Sequence, residues 1–317
     1  MAADMKADTS FATGGKISLI LPGAMYIMKE QFNSTNGIIM QGKPYRGKNR
    51  YEEFLAAARS IAKKISTIKG VVGIIATGGI GRGFCDELSD LDLIVYADEK
   101  HFKSIEKYIA VGCLRHKGIE LDTPVENYQY ERKQKSPSSH WTQALRWDRE
   151  NSMILFDPQN KIKRLLKAKL VFADSEQKEL LKKYEEAVND YLIYHYLVWE
   201  RRGHPFHLGY TLTKAAENFV YWLYAKNRKF QPYAPKWLFY YLENDLILES
   251  KHKKEISSLF TQRIETFKDA QAVRNKLVKI CKKTGFPLID FDIAKSAKQN
   301  KKNWEKASER TRKYLSW

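Results

Sequence analysis

Apolar and polar residues alternate along this chain in two distinct periods. From Tyr51 to Lys69, apolar residues fall at Phe54, Leu55, Ala58, Ile61, Ala62, Ile65 and Ile68, the spacing of a helix with one buried face, and Gly70 supplies its stop. Val71 to Ala76 and Leu91 to Tyr96 are short, almost continuous apolar runs that predict buried strands. Between them lies a loop in which Gly78, Gly79, Gly81 and Gly83 crowd around Arg82. Glu99 to Ala110 predicts a second amphipathic helix, and Gly118 to Val125 a third strand. Tyr128 to Ser139 is polar and predicts a loop. Asp157 and Pro158 then have the character of an N-cap and first helical residue for a basic helix over Gln159 to Ala168.

After Ala173-Asp174-Ser175 the strand pattern ceases. Helical spacing predicts helices over Glu176 to Glu200, Thr211 to Asn227, Pro235 to Glu249 and His252 to Lys283, with a short terminal helix over Ser296 to Tyr314. Arg202 and His207 have the R-x4-H spacing of a helical ribonuclease motif, but Gly203 and Pro205 between them predict a turn holding both. The chain therefore divides into an N-terminal segment (1–48, partly disordered or accessory), an α/β unit (49–173) and an all-α bundle (174–317).

Candidate chemistry concentrates between the first two strands. Asp90 and Asp92 flank Leu91, and the period-2 geometry of a strand puts both carboxylates on one face. Such a pair repels itself unless a cation sits between, and Mg²⁺ prefers hard oxygen ligands of this kind together with substrate phosphates. Glycines lack Cβ atoms and let backbone N–H groups approach a phosphate closely. The common ATP-binding loop is excluded because Phe84 and Cys85 stand where Lys and Ser/Thr should follow Gly83. The dinucleotide fingerprint fails as well, since its third glycine would fall on Phe84.

Gly78-Gly79, ten intervening residues, and then Asp90-Leu91-Asp92 form a different pattern. It resembles the signature of the polymerase-β-like nucleotidyltransferases, particularly the kanamycin and lincosamide nucleotidyltransferases and archaeal relatives. The resemblance covers roughly residues 70–125. It implies an α/β (α+β) core with a mixed sheet followed by a helical bundle, and transfer of a nucleoside monophosphate from an NTP to a hydroxyl-type acceptor with release of pyrophosphate. It further implies a two-metal Mg²⁺ site on Asp90 and Asp92, with a third carboxylate on a neighbouring strand. Glu120 and Asp122 are both candidates for that third group, with Asp122 preferred. Gly78, Gly79, Arg82 and Ser89 are the expected phosphate-side residues. Many relatives carry Ser where this chain has Gly79, so only backbone can serve there.

Composition widens the range of acceptors. The formal charge is +18, and residues 251–317 hold 18 Lys/Arg against 7 Asp/Glu. An excess of that size attracts polyanions, so the acceptor is open between a small molecule, a protein side chain and RNA, with nucleic acid reached through the basic C-terminal region. Nucleic-acid binding or tRNA modification is accordingly the alternative reading. No apolar run is long enough to cross a membrane and no secretory leader is visible. Cys85, Cys113 and Cys281 are too scattered for a disulfide framework or zinc site, which together point to the cytoplasm.

Overall fold

A computed structural model describes residues 47–112, 115–116, 118–134, 141–242 and 250–289. The expected accessory strand at Ile17 to Leu21, the terminal helix at Ser296 to Tyr314 and residues 290–317 of the basic C-terminal stretch lie outside the described residues.

Helix α1 (Tyr51–Ile65) buries the predicted apolar stripe, with Glu52 and Glu53 in its first turn and Lys63 and Lys64 in its last, each favourable against the helix dipole. Strand β1 (Val71–Ala76) leads into α2 (Gly78–Arg82), β2 (Leu91–Ala97), α3 (Phe102–Gly112), β3 (Arg115–His116), β4 (Ile119–Asp122) and β5 (Val125–Asn127). Helices α4 (Tyr128–Lys133) and α5 (Gln143–Glu150), strand β6 (Met153–Phe156) and helix α6 (Lys161–Lys169) complete the α/β part. The sheet runs β3-β4-β2-β1-β6, with β5 also pairing β2. Strand β1 is antiparallel to both β2 and β6, while β4 and β5 run parallel to β2, so the sheet is mixed.

Alternation along β2 sorts its side chains between two cores. Leu91, Leu93, Val95 and Ala97 pack with α1 and α3. Ile94 and Tyr96 face the other way, against Tyr128, Trp141 and the apolar side of α6. Asp92 shares that second face by period.

Several sequence expectations need correction. The glycine-rich loop is a short helix, closed by Gly83 at φ +77°. The third strand is two strands, β4 and β5, split at Thr123-Pro124, and proline's missing donor accounts for the break. Tyr128 to Lys133 is helical rather than loop, because Asn127 accepts the Tyr130 N–H and starts a turn. The Trp141 to Phe156 stretch resolves into α5 and β6. Helix α6 starts at Lys161, with Asn160 rather than Asp157 in the N-cap position and Pro158 ahead of the helix, although Asp157 still accepts from Lys161 N and Lys163 N at 2.7 and 2.9 Å.

The remainder is helical: α7 (Asp174–Asn189), a π-helical turn (Asp190–His195), α8 (Tyr196–Arg202), α9 (Pro205–Lys226), α10 (Ala234–Leu242), α11 (Ser250–Thr261) and α12 (Phe267–Thr284). Arg202 and His207 do not share a turn; they end α8 and open α9 on either side of Gly203 at φ +71°. The single helix expected over His252 to Lys283 is two, because Thr266 and Asp269 form a capping box that starts α12. Arg146 on α5 and Glu176 on α7 form a buried ion pair linking sheet and bundle, with Arg146 Nη1 donating at 2.9 Å. No described helix is long and apolar enough to cross a membrane.

Candidate active site

The turn after β1 is built by close approach. Gly78 has φ +52°, and a Cβ there would lie 1.6 Å from Asp92 Oδ2, so only glycine lets β2 run this close. Cβ atoms at Gly79 and Gly81 would meet Cys85 Sγ at 2.6 Å and the Asn151 carbonyl oxygen at 2.7 Å. The absence of serine at residue 79 thus has a packing reason, since a side chain there would collide with Cys85. The backbone holds both sides together, Thr77 N donating to the Asp92 carbonyl at 3.1 Å.

Asp90 lies just ahead of β2 and is exposed, whereas Asp92 is half-buried. Asp92 pairs with Asp122 of β4 in parallel register, so the two carboxylates sit side by side on one face of the sheet. Glu120 is also exposed, but its neighbour across the β3–β4 ladder is Arg115. Ser89 faces inward on its own loop: its hydroxyl donates to Asp86 Oδ1 and accepts from Asp86 N, both at 3.0 Å.

A fourth carboxylate, which sequence reasoning missed, completes the group. Asp148 of α5 accepts the Gly78 N–H at 3.2 Å. Burial is the main cause of its raised pKa, opposed by the bond from Gly78 and by the Arg82 charge. For Asp92, burial and then the charges of Asp90, Asp148 and Asp122 push the carboxyl up to about 7, with Arg82 opposing.

Arg82 is buried. Its guanidinium lies 4.0 Å from the ring centroid of Trp237 on α10 and 5.8 Å from that of Phe84. Its Nε has no hydrogen-bond partner among the described residues. The loop acids Asp86 and Glu87 do not brace it: Asp86 bonds Leu88 N and Ser89, and Glu87 lies against Gly47. Arg82 therefore sits under an aromatic cover supplied by the bundle, with donor capacity to spare near four acids.

That balance suits an added cation. Among the described residues no three His, Cys, Asp or Glu side chains already converge as a complete metal-ligand set. Mg²⁺ requires none, because it commonly uses one or two carboxylates and completes its shell with water and substrate phosphates. Four carboxylates against Arg82, and against Arg149 at Asp148, leave negative charge that such an ion would neutralise.

A family profile described as "Nucleotidyltransferase domain" matches residues 58–220, which include every residue of this group except Trp237. The chain belongs to the nucleotidyltransferase domain family. It is a nucleotidyltransferase, an enzyme that transfers a nucleotidyl group. Solved structures similar to it include a nucleotidyltransferase-like protein from Exiguobacterium sibiricum (13% identity, covering 72% of this chain and 74% of that one, TM-score 0.38). Another is the spectinomycin adenyltransferase of Enterococcus faecialis with ATP and spectinomycin (12% identity, 72% and 99% coverage, TM-score 0.32). No curated protein matches the chain.

Asp148 had no visible signal in the sequence. Its helix reads Gln-Ala-Leu-Arg-Trp-Asp-Arg-Glu, a composition ordinarily solvated, yet Arg146 and Arg149 are buried here. Trp237 lies 155 residues beyond Arg82, and only the tertiary fold joins them.

Proposed function

We propose that this nucleotidyltransferase moves a nucleoside monophosphate from an NTP to a hydroxyl-type acceptor and releases pyrophosphate, working from the end of the sheet where β2 and β4 begin and end. The observation that carries the reading is the parallel register of Asp92 with Asp122, beside Asp90 and against a glycine turn that only glycine permits. Mg²⁺ held by Asp90 and Asp92, with Asp122 completing a second position, would neutralise the triphosphate and activate the acceptor oxygen.

The chain's own groups then divide the work. Arg82, pre-oriented by Trp237, donates to phosphate oxygens on the leaving side, where charge accumulates as the transferred group departs. Gly78 and Gly79 let the triphosphate lie close to backbone, with the Gly78 N–H held by Asp148 in the free enzyme. Asp122 is exposed, so the acceptor reaches it from solvent, and its carboxylate is placed to take the hydroxyl proton. The reading further places the domain boundary near Ala173–Ser175, between α6 and α7, and leaves Glu120 outside the catalytic group.

Incubation with each labelled NTP, Mg²⁺ and a cell extract tests the reading directly. Label should enter one fraction of the extract with stoichiometric pyrophosphate. If no NTP yields pyrophosphate in any fraction with Mg²⁺ or Mn²⁺, the reading fails.

A further inference from the structure

The other end of the same sheet face carries a second feature, independent of the carboxylates. A pocket of about 430 Å³ opens between α4 and α6, lined by Tyr128, Arg132, Lys161, Arg164 and Lys169 among others, with no Asp or Glu in its wall. Among the described residues, Arg132, Lys161 and Arg164 have no ion-pair partner. The nearby acid, Glu131, is buried, accepts from Trp141 Nε1 at 2.5 Å, and its charge acts on Lys169. Lys169 is anchored within the wall by donating to the Gln134 carbonyl.

Arg132, Lys161 and Arg164, three cations held in a concave wall, repel one another, and a cleft of one sign concentrates its field on whatever anion enters. A solvated lysine face spreads its charges outward; here two helices converge theirs. Further basic residues, Lys133 on α4 and Lys163 and Lys167 on α6, continue the charge outside the pocket. The guanidinium forks of Arg132 and Arg164 match phosphate oxygens in geometry as well as charge.

The pocket is separate from the carboxylate site. Asn127, next to Tyr128, pairs with Ala97, five residues along β2 from Asp92, or about 17 Å at the rise of a strand. Between them stand Tyr96 and the Arg149–Glu126 ion pair. We propose that this pocket binds a phosphate-bearing ligand, either a phosphate of an RNA strand or that of a free nucleotide.

Two probes separate the sources: inorganic pyrophosphate, followed by calorimetry, and a short 5′-phosphorylated single-stranded RNA, followed by fluorescence anisotropy. Both are titrated into the full chain with a chelator present, so that binding bridged by metal at the carboxylates does not contribute. The double variant Arg132→Glu/Arg164→Glu should weaken at least one probe about tenfold or more, as expected for losing charge-assisted contacts. Lys103→Glu, an exposed change on α3, should leave both unchanged. An RNA strand as ligand predicts far tighter RNA than pyrophosphate binding and a salt slope reduced by about two in the double variant. A free nucleotide predicts that pyrophosphate binds as tightly as RNA. Both arginines are exposed, so the fold should persist, and melting curves check it. Arg164→Gln serves in its place if the double variant melts early, with a smaller loss in the same direction. The proposal is overturned if neither probe binds the parent chain, or if folded variants bind both probes as the parent does.

Discussion

One face of the sheet carries two buried charge clusters, and they are balanced in opposite ways. Around Tyr96, each cation has a matched neighbour: Arg149 pairs with Glu126 and lies 4.5 Å from the Trp141 ring, and Arg146 on the same helix pairs with Glu176. Around Asp92, four carboxylates have Arg82 as their near cation, with Arg149 also acting on Asp148. The first cluster is charge-paired in the free chain, although Arg146 Nε and Arg149 Nε and Nη1 lack hydrogen-bond partners among the described residues. The second is incomplete, and its missing positive charge is the kind a divalent metal ion supplies. Rigidity and chemistry thus occupy neighbouring strand positions, and helix α5 contributes to both through Arg146, Asp148 and Arg149.

The largest effect expected from breaking this contrast is at the carboxylates. Asp90→Asn or Asp92→Asn should lower nucleotidyl transfer by about a thousandfold or more, the upper scale for losing one group aimed at developing charge. Neither should lower the metal-free melting temperature. Turnover with labelled NTP and melting in chelator measure the two halves. Retained turnover with a clear loss of stability would make the pair structural.

Next comes the matched cluster, where the opposite is expected. Glu176→Ala leaves Arg146 buried without its partner, so unfolding free energy should fall by about 3–5 kcal/mol, read by denaturant titration. The variant's turnover should persist at temperatures where it stays folded. A change below about 1 kcal/mol would show that the pair is solvated and the contrast overstated.

Arg82 joins the two regimes, being buried like the first cluster and short of partners like the second. Arg82→Ala should cost about a hundred- to a thousandfold in turnover, with a partial return in Arg82→Lys, which keeps charge but not the fork. Trp237→Ala should cost less, about tenfold, since it removes only the aromatic face that orients the guanidinium. A comparison of Asp122→Asn with Glu120→Gln sharpens the same picture on the acceptor side. The first should lose most activity and the second little, because Glu120 lies opposite Arg115 rather than Asp92. The reverse order would return the third position to Glu120.

How much of this was legible beforehand follows from where each signal lives. Strands β1 and β2 are local patterns and form where the pattern implies, whereas the double glycine opens a short helix and Asp90 lies just ahead of β2 rather than on its face. The preference for Asp122 over Glu120 was a narrow one, and the distinction lies in the register of β4 against β2 and β3, a pairing that spacing alone does not determine. The short helix Gly78–Arg82 has almost the poorest helix formers available, yet it forms because Asp92, Cys85 and Asn151 close in on its glycines. Asp148 was hidden for the converse reason. Its charged helix reads as surface, and its burial arises only once α5 docks between sheet and bundle.

The smallest effect is the most diagnostic of the charge balance itself. Asp92 is held at about 7 in the folded chain, against 3.8 for an ordinary aspartate, chiefly by burial and then by its acidic neighbours. The folded state therefore keeps a proton that the unfolded chain has already released. Between those two values folding takes up a proton, so metal-free stability should fall as pH rises from about 4 to about 7 and then level off. Asparagine at residue 92 cannot titrate. Asp92→Asn should consequently match the parent near pH 4 and exceed it by roughly 1–3 kcal/mol at pH 8, allowing for partial solvent screening of a half-buried group. Adding Mg²⁺ with NTP at pH 8 should raise the parent's melting temperature more than the variant's, because only the parent has the charge to hold the ion. Melting curves for both proteins from pH 4 to pH 8, with and without chelator, make the measurement. A variant that is less stable than the parent at pH 8 in chelator would mean that Asp92 is already neutralised within the chain, and the two clusters would then be balanced alike.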